Sequence, residues 1–449
     1  PSAKYDATGG NAGILNIVLK KNRKNGYNGG IRAGIDMRGK FNGGGDLNLR
    51  DNKFNFSLNA NVNGRKSIST STNDREILGV SQPIHVLTVN NSTGEGSFNF
   101  YRAGVDYFAD NRNTFSLYGN IMQGAMENAG IQTIDSSINN AIRNYSLENS
   151  GKFNFLNKGA QLSYKHLFAE KGHELSADFN YNQADNDNWS IINSSIINQR
   201  SLGNGNNKSY TFNIDYAREF KDEVKFEAGI RYNDRSEYNK RDQFRNDVLI
   251  DAISSQYKYG EGVYAAYSNI NFKKEKWSFQ LGLRAESRSY NGTILNKRGV
   301  DSLPFSASYP ISLFPSAFIN YKINDKQDVQ INYSKRINPP NFFQLLPFPD
   351  YSDPQNISVG NPGLKPQFTH SFEVAYNNAY KKGSNFLATA YYKYSTDLIT
   401  SYVYRDINRA SSTLDSAYFS SSINANTAIV YGLELSNKTA ITKWWDMNL

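Results

Sequence analysis

The chain has 449 residues, 14% of them aromatic with 30 Tyr and 27 Phe, together with 34 Gly and no Cys. Without cysteine there is no disulfide framework, thiolate metal site or cysteine nucleophile, and four His leave little material for a zinc cluster. The formal charge of +9 is interleaved with acids and asparagines instead of being gathered into a basic tract, which argues against a nucleic-acid footprint and suits a solvated surface or lipid phosphates.

Residues 5–21, YDATGGNAGILNIVLKK, open on a glycine cluster that runs into an apolar strand and ends on Lys20 and Lys21. Gly9, Gly10 and Gly13 do not fit GxGxxG, and no Lys-Ser or Lys-Thr pair follows, so this is not read as a phosphate loop. Period-two alternation begins soon afterwards. In 54–62 the residues Phe54, Phe56, Leu58, Ala60 and Val62 share one face against Asn55, Ser57, Asn59 and Asn61. Phe226, Ala228, Ile230 and Tyr232 oppose Lys225, Glu227 and Arg231, and Phe279, Leu281, Leu283 and Ala285 oppose Gln280, Arg284 and Glu286. Phe372, Val374 and Tyr376, then Tyr431, Leu433 and Leu435, continue the pattern.

Short polar turns at 110–113, 170–172, 221–223, 273–276, 324–327 and 381–385 alternate with long segments at 64–96, 123–150, 189–208, 234–256, 287–309, 335–364 and 400–422. No stretch of eighteen apolar residues exists for a helical span. The mean hydropathy of -0.62 suits either a soluble protein or strands that alternate between lipid and lumen. Short turns at one end and long loops at the other favour the second: an all-β, large antiparallel transmembrane β-barrel in the outer membrane of a Gram-negative bacterium. About sixteen strands are expected, with another begun by KWWDMNL, so that more should follow. Tyr107, Phe108, Tyr118, Tyr164, Phe168, Phe272, Trp277, Trp444 and Trp445 are read as interfacial girdles.

Two motifs carry a resemblance. The opening 21 residues resemble the end of the plug domain of TonB-dependent outer-membrane receptors. The later GNPGLKP, with Gly360, Asn361, Pro362, Leu364, Lys365 and Pro366, is similar to their GNP-x-LKPE element, Gln367 standing where Glu is common. The Asn- and Tyr-rich style resembles the Bacteroidetes-type outer-membrane β-barrel family. The resemblance implies a barrel of 22 strands around a plug, with 1–26 as the plug's end (its last strand) and linker, and 27–449 as a barrel truncated before its final strands. It also implies an active-transport receptor that imports a scarce small ligand, energised through a TonB-type periplasmic partner. Outer-membrane lipid and lipopolysaccharide would surround it, and a surface lipoprotein is a further implied partner. The alternative is a non-transporting barrel that scaffolds surface proteins.

No cofactor, metal site or enzyme activity is expected. Ser371 and Glu373 share a strand face opposite His370, which argues against a local triad. The acid clusters 185–188 and 350–353 lack calcium-loop spacing and are read as loop turns. Before GNPGLKP, a proline-rich loop carries Phe342, Phe343 and Tyr351, with Arg336, Asn338 and Gln344 as polar neighbours. Two readings stand for it: a rigid shelf that contacts ligand, or a lid whose aromatics pack on neighbouring loops. Lumen-facing Glu227, Arg231, Arg284 and Glu286 are expected to pair with the plug.

Overall fold

The computed structural model describes residues 3–4, 25–77, 84–138, 141–194, 198–220, 223–251, 254–295, 301–346, 349, 356–407, 416–442 and 444–449. The opening motif, Tyr351 and the acid cluster 350–353 lie outside them. The described strands form one sheet. They are β1 (Gly26–Ile35), β2 (Phe41–Asp51), β3 (Phe54–Ile77), β4 (Ile84–Phe108), β5 (Asn113–Ile138), β6 (Ala141–Leu167), β7 (Glu174–Asn193), β8 (Asn198–Glu219) and β9 (Lys225–Arg245). After them come β10 (Val248–Leu249), β11 (Ser255–Lys274), β12 (Trp277–Leu295), β13 (Asp301–Asn324) and β14 (Gln327–Asn338). The last are β15 (Asn356–Ser358), β16 (Gln367–Lys381), β17 (Ser384–Ile407), β18 (Ser416–Ala440) and β19 (Asp446–Asn448), and one helix, α1 (Phe342–Leu345), lies between β14 and β15.

Sixteen of the nineteen described strands are ten residues or longer, matching the sequence estimate, and β19 is the strand begun by KWWDMNL. Nearly every pairing is an antiparallel meander between chain neighbours; β15 alone among the described strands pairs in parallel, with β18. The short turns fall where expected, and Glu223 and Glu275 adopt positive φ in them, as Asn52 does in the further short turn between β2 and β3. At 109–112, Asp110 Oδ1 accepts from the backbone N–H groups of Arg112 and Asn113, both at 2.7 Å, and Oδ2 accepts from the Asn113 side chain at 2.8 Å.

The long segments are a correction. Most are not loops: the ladder of β3 and β4 continues to Ile77 opposite Ile84, and that of β5 and β6 to Ile138 opposite Ala141. There, backbone pairing needs no apolar face, so Ser-, Thr- and Asn-rich sequence sustains strands that alternation alone does not reveal. The acid cluster 185–188 is likewise not a turn but mid-strand in β7, where Asp187 accepts from Asn154 at 2.7 Å. Among the described residues the longest departure from hairpin geometry is the segment between β14 and β16, with a shorter one at β10 between β9 and β11.

The sheet is inverted relative to a soluble core. Leu58, Leu117, Leu162, Ile230, Leu283, Ile331, Val374 and Leu433 are exposed on one face, Leu433 at 65%, while Arg284, Glu286, Asn269, Ser316 and Ser371 are buried on the other. So wide an apolar surface demands lipid. Near the short turns the rings of Phe54, Tyr107, Phe115 and Tyr164 follow one another at 4.9, 6.4 and 4.8 Å, and Trp277 lies 4.6 Å from Tyr321, as a girdle requires. Tyr118 does not belong to it. Its hydroxyl donates to Asp106 on the polar face at 2.8 Å, with the Arg102 guanidinium over its ring.

Candidate functional site

Along β12 the polar face presents Arg284, Glu286, Arg288 and Tyr290 at period two, and β11 supplies Tyr259 and Glu261 beside them. Arg284 Nη2 lies 3.0 Å from Glu286 Oε2, and Arg288 Nη2 lies 2.9 Å from Glu286 Oε1. Arg288 Nη1 reaches Glu261 Oε1 at 2.5 Å, and the Tyr259 hydroxyl donates to the second oxygen of Glu261 at 3.3 Å. Two guanidiniums and two carboxylates thus alternate, with Arg284 only 1% exposed. Charges buried this deeply persist only when each is paired, and here they compensate one another within the wall. The sequence reading found Arg284 and Glu286 but missed Arg288 and Glu261. The signal was the same alternation, carried four residues further.

Glu227 pairs with Lys225 at 2.9 Å, and Arg231 is the register partner of Asn213 and of Ala265, which itself stands opposite Glu286, so Arg231 shares the row of Glu286 two strands away. The described N-terminal residues lie against this polar face. Ala3 is buried with its Cβ close to Gly282, and Lys4 Nζ stands 3.9 Å from Asp215. Residues 3 and 4 therefore lie on the luminal side of the strands.

The segment between β14 and β16 is organised by α1. Asn341 caps the helix: its side chain accepts from the Gln344 N–H at 2.9 Å, and the Gln344 side chain accepts from the Asn341 N–H at 2.9 Å. Phe342 packs on Tyr257 and Tyr259 at ring distances of 4.6 and 4.5 Å, in a cluster with Tyr290, Leu345 and Leu364. Burial pushes the hydroxyl pKa of Tyr257, Tyr259 and Tyr290 upward, keeping these rings neutral.

GNPGLKP fastens this helix to the wall. A Cβ on Gly360 would fall 2.6 Å from the Leu346 nitrogen and 2.7 Å from the Phe343 carbonyl oxygen, so only glycine fits. The Gly360 and Asn361 N–H groups donate to the carbonyls of Leu346 and Gln344. Asn361 Nδ2 donates to the Ser422 carbonyl at 3.1 Å, and its Oδ1 accepts from the Gly363 N–H at 2.9 Å, turning the chain at Pro362. Tyr309 on β13 donates to the Leu364 carbonyl at 2.9 Å; Lys365 is exposed and Pro366 buried. Gly360, Asn361 and the Leu364 backbone thus tie the motif to α1, β18 and β13. Asn424, which sequence reasoning missed, holds the Lys365 backbone from β18.

Of the ligand candidates, Phe342 is buried in the aromatic cluster and Gln344 is engaged in the cap. Phe343 is 66% exposed, Asn338 is exposed at the end of β14 opposite Gln367, and Arg336 is half-buried within reach of the Arg284 charge. His370 contacts the Tyr333 hydroxyl at 3.0 Å, whereas Ser371 donates to Glu373 on the opposite face. Among the described residues no three His, Asp or Glu side chains gather as a cation site.

Residues 166–449 match the profile of the outer membrane protein beta-barrel family. The chain belongs to that family. This outer-membrane β-barrel is also similar in fold to three solved structures. The copper transporter OprC is 13% identical, with 96% of this chain and 61% of that one covered and a TM-score of 0.60. The ferric yersiniabactin uptake receptor FyuA from Yersinia pestis is 11% identical over 96% and 61%, at 0.56. The ferric-catecholate import receptor Fiu from Escherichia coli K12 is 11% identical over 95% and 65%, at 0.55. The chain spans about three fifths of the length of the structures it matches. No curated protein sequence matches it.

Proposed function

We propose that this barrel is the main part of an outer-membrane import receptor of the TonB-dependent kind, with residues 1–26 as the end of a plug and 27–449 as the wall around it. The observation that carries this is the placement of Ala3 and Lys4 against the luminal wall at Gly282 and Asp215. A passive pore gains nothing from chain folded into its lumen, whereas a gated importer requires it. The likeness in fold to transporters and uptake receptors supports the same reading. In this reading the Asn- and Tyr-rich strands are those of a Bacteroidetes-type receptor. In this reading the partners are outer-membrane lipid and lipopolysaccharide, a TonB-type periplasmic energiser, a scarce small ligand and a surface lipoprotein. The wall supplies no catalytic chemistry in the proposal; its paired charges give a rigid frame against which a plug can move.

The test is an in-frame deletion of the full gene, with a complemented control, grown on limiting iron and on single glycans. Import predicts a growth defect on at least one medium, restored by the complement. Equal growth on all of them, with surface proteins lost from the deletion strain, would favour the scaffold reading instead.

A further inference from the structure

The luminal face of β4–β9 carries an arrangement that the import reading does not use. Hydrogen-bonded register places Phe98, Gly124, Phe155, Asn186, Gly205 and Asn239 in one row across six strands. The neighbouring row toward the long hairpin ends runs Met126, Phe153, Asn188, Gly203. Phe98, Met126 and Phe153 are 42%, 45% and 42% exposed, which is unusual on a face that is otherwise polar. The Phe155 ring lies over Gly124, where a Cβ would fall 2.6 Å from it.

Asparagine and glycine pair repeatedly across these strands. A Cβ on Gly205 would lie 3.0 Å from the Asn186 amide oxygen and 3.1 Å from the Asn239 amide nitrogen. The Asn188 amide covers Gly203, and that of Asn128 covers Gly151. Each of these amides occupies the space that a side chain on the facing glycine would fill. Asn128 and Asn188 are exposed, and no hydrogen bond within the described residues uses the side chains of Asn128, Asn186 or Asn188. Farther out, the same face ends in a hollow of about 310 Å³ lined by Asn73 and Arg75 on β3 and by Thr88, Asn90 and Gln132. The Asn90 amide oxygen there is buried without a partner.

We propose that this wall binds a neutral oligosaccharide, which is the cargo. The inference rests on the import reading and names its substrate class. A sugar ring has an apolar C–H face, which suits the exposed Phe98 and Phe153 rings, and a rim of hydroxyls, each both donor and acceptor, which suits side-chain amides. Within β4–β9 charge is sparse on these rows: Arg241 is the cation there, its Nε donating to Ser201 at 3.2 Å, and the second row reaches Arg65 only on β3. An extended peptide would seek a free strand edge, and none exists inside a continuous ladder.

The experiment uses the full-length protein in detergent. It is applied to an array of neutral oligosaccharides of different lengths, with a hexapeptide library and a ferric catechol chelate as the other arms. Retained glycans are then titrated calorimetrically against Phe153→Ala, Phe153→Trp, Asn188→Ala and Asn128→Ala, each shown to be folded by its heat-modifiable electrophoretic mobility. The expected result is glycan retention, at least about tenfold weaker binding in each alanine variant, and near wild-type binding in Phe153→Trp. Retention of only peptide or chelate, retention of nothing, or alanine variants that bind glycan as wild type would overturn the proposal. The import reading survives those outcomes if the gene still governs depletion of some solute from the medium, and falls separately if it does not.

Discussion

Asn424 holds the backbone of Lys365 from both sides: its Oδ1 accepts from the Lys365 N–H at 2.8 Å and its Nδ2 donates to the Lys365 carbonyl at 2.9 Å. The same Nδ2 also reaches the carbonyl of Asp397 at 2.8 Å, where positive φ breaks the regularity of β17. One side chain therefore couples GNPGLKP to the β17–β18 hairpin. Asn424→Ala should loosen this coupling by about 1–3 kcal/mol, because backbone groups lose their partners. Hydrogen exchange should show faster exchange at Lys365 and through α1 with β12 unchanged. Protection equal to wild type would contradict the clamp.

Glu286 stands between two guanidiniums in a buried wall, so Glu286→Gln should be severe. Removing its charge takes a buried carboxylate from both Arg284 and Arg288, at a cost of about 3–5 kcal/mol. Glu227 pairs with the half-exposed Lys225, and Glu227→Gln should cost no more than about 1 kcal/mol. Urea unfolding from lipid vesicles would report both, and equal effects would argue against an energetic distinction between the two pairs.

Hydrogen bonds from the Asn113 side chain and from the backbone of Arg112 and Asn113 hold the Asp110 carboxyl below the usual carboxylate range. The unfolded chain then binds the proton more readily than the folded one. The turn's contribution is complete above the unfolded pKa of about 3.9 and is lost as pH falls through the depressed folded value. Unfolding measured from pH 6 down to pH 2 should show a smaller acid-dependent loss in Asp110→Asn than in wild type. Parallel curves would remove Asp110 from the account.

Leu281 and Leu283 face lipid at 42% and 46% exposure. Leu281→Arg should destabilise the folded barrel by roughly 2–4 kcal/mol if it lies near the bilayer midplane. Folding yield into vesicles checks this, and an unchanged yield would mean the apolar face is misassigned.

The spans that cross lipid were legible because hydrocarbon enforces alternation: the reading of 54–62, with its apolar and asparagine faces, is the strand seen. Nothing enforces it beyond the membrane. The outer parts of β3 to β6 mix polar residues into both faces, so 64–96 and 123–150 read as loops although their backbones stay paired. Arg284 and Glu286 could be placed on the polar face from spacing, but Glu261 meets Arg288 only through the register of β11 on β12, which no single strand encodes. The aromatic loop had two readings, and Phe342 and Phe343 divide between them, one packed under the helix and the other open to solvent.

The central claim is that the barrel imports something. The most direct measurement is a time course of solute depletion from a complex medium by wild-type, deletion and complemented cells, with and without a protonophore. The account predicts at least one solute whose removal is lost in the deletion, returns with the complement and stops when the proton gradient is collapsed. Identical depletion of every solute by wild-type and deletion cells would contradict it.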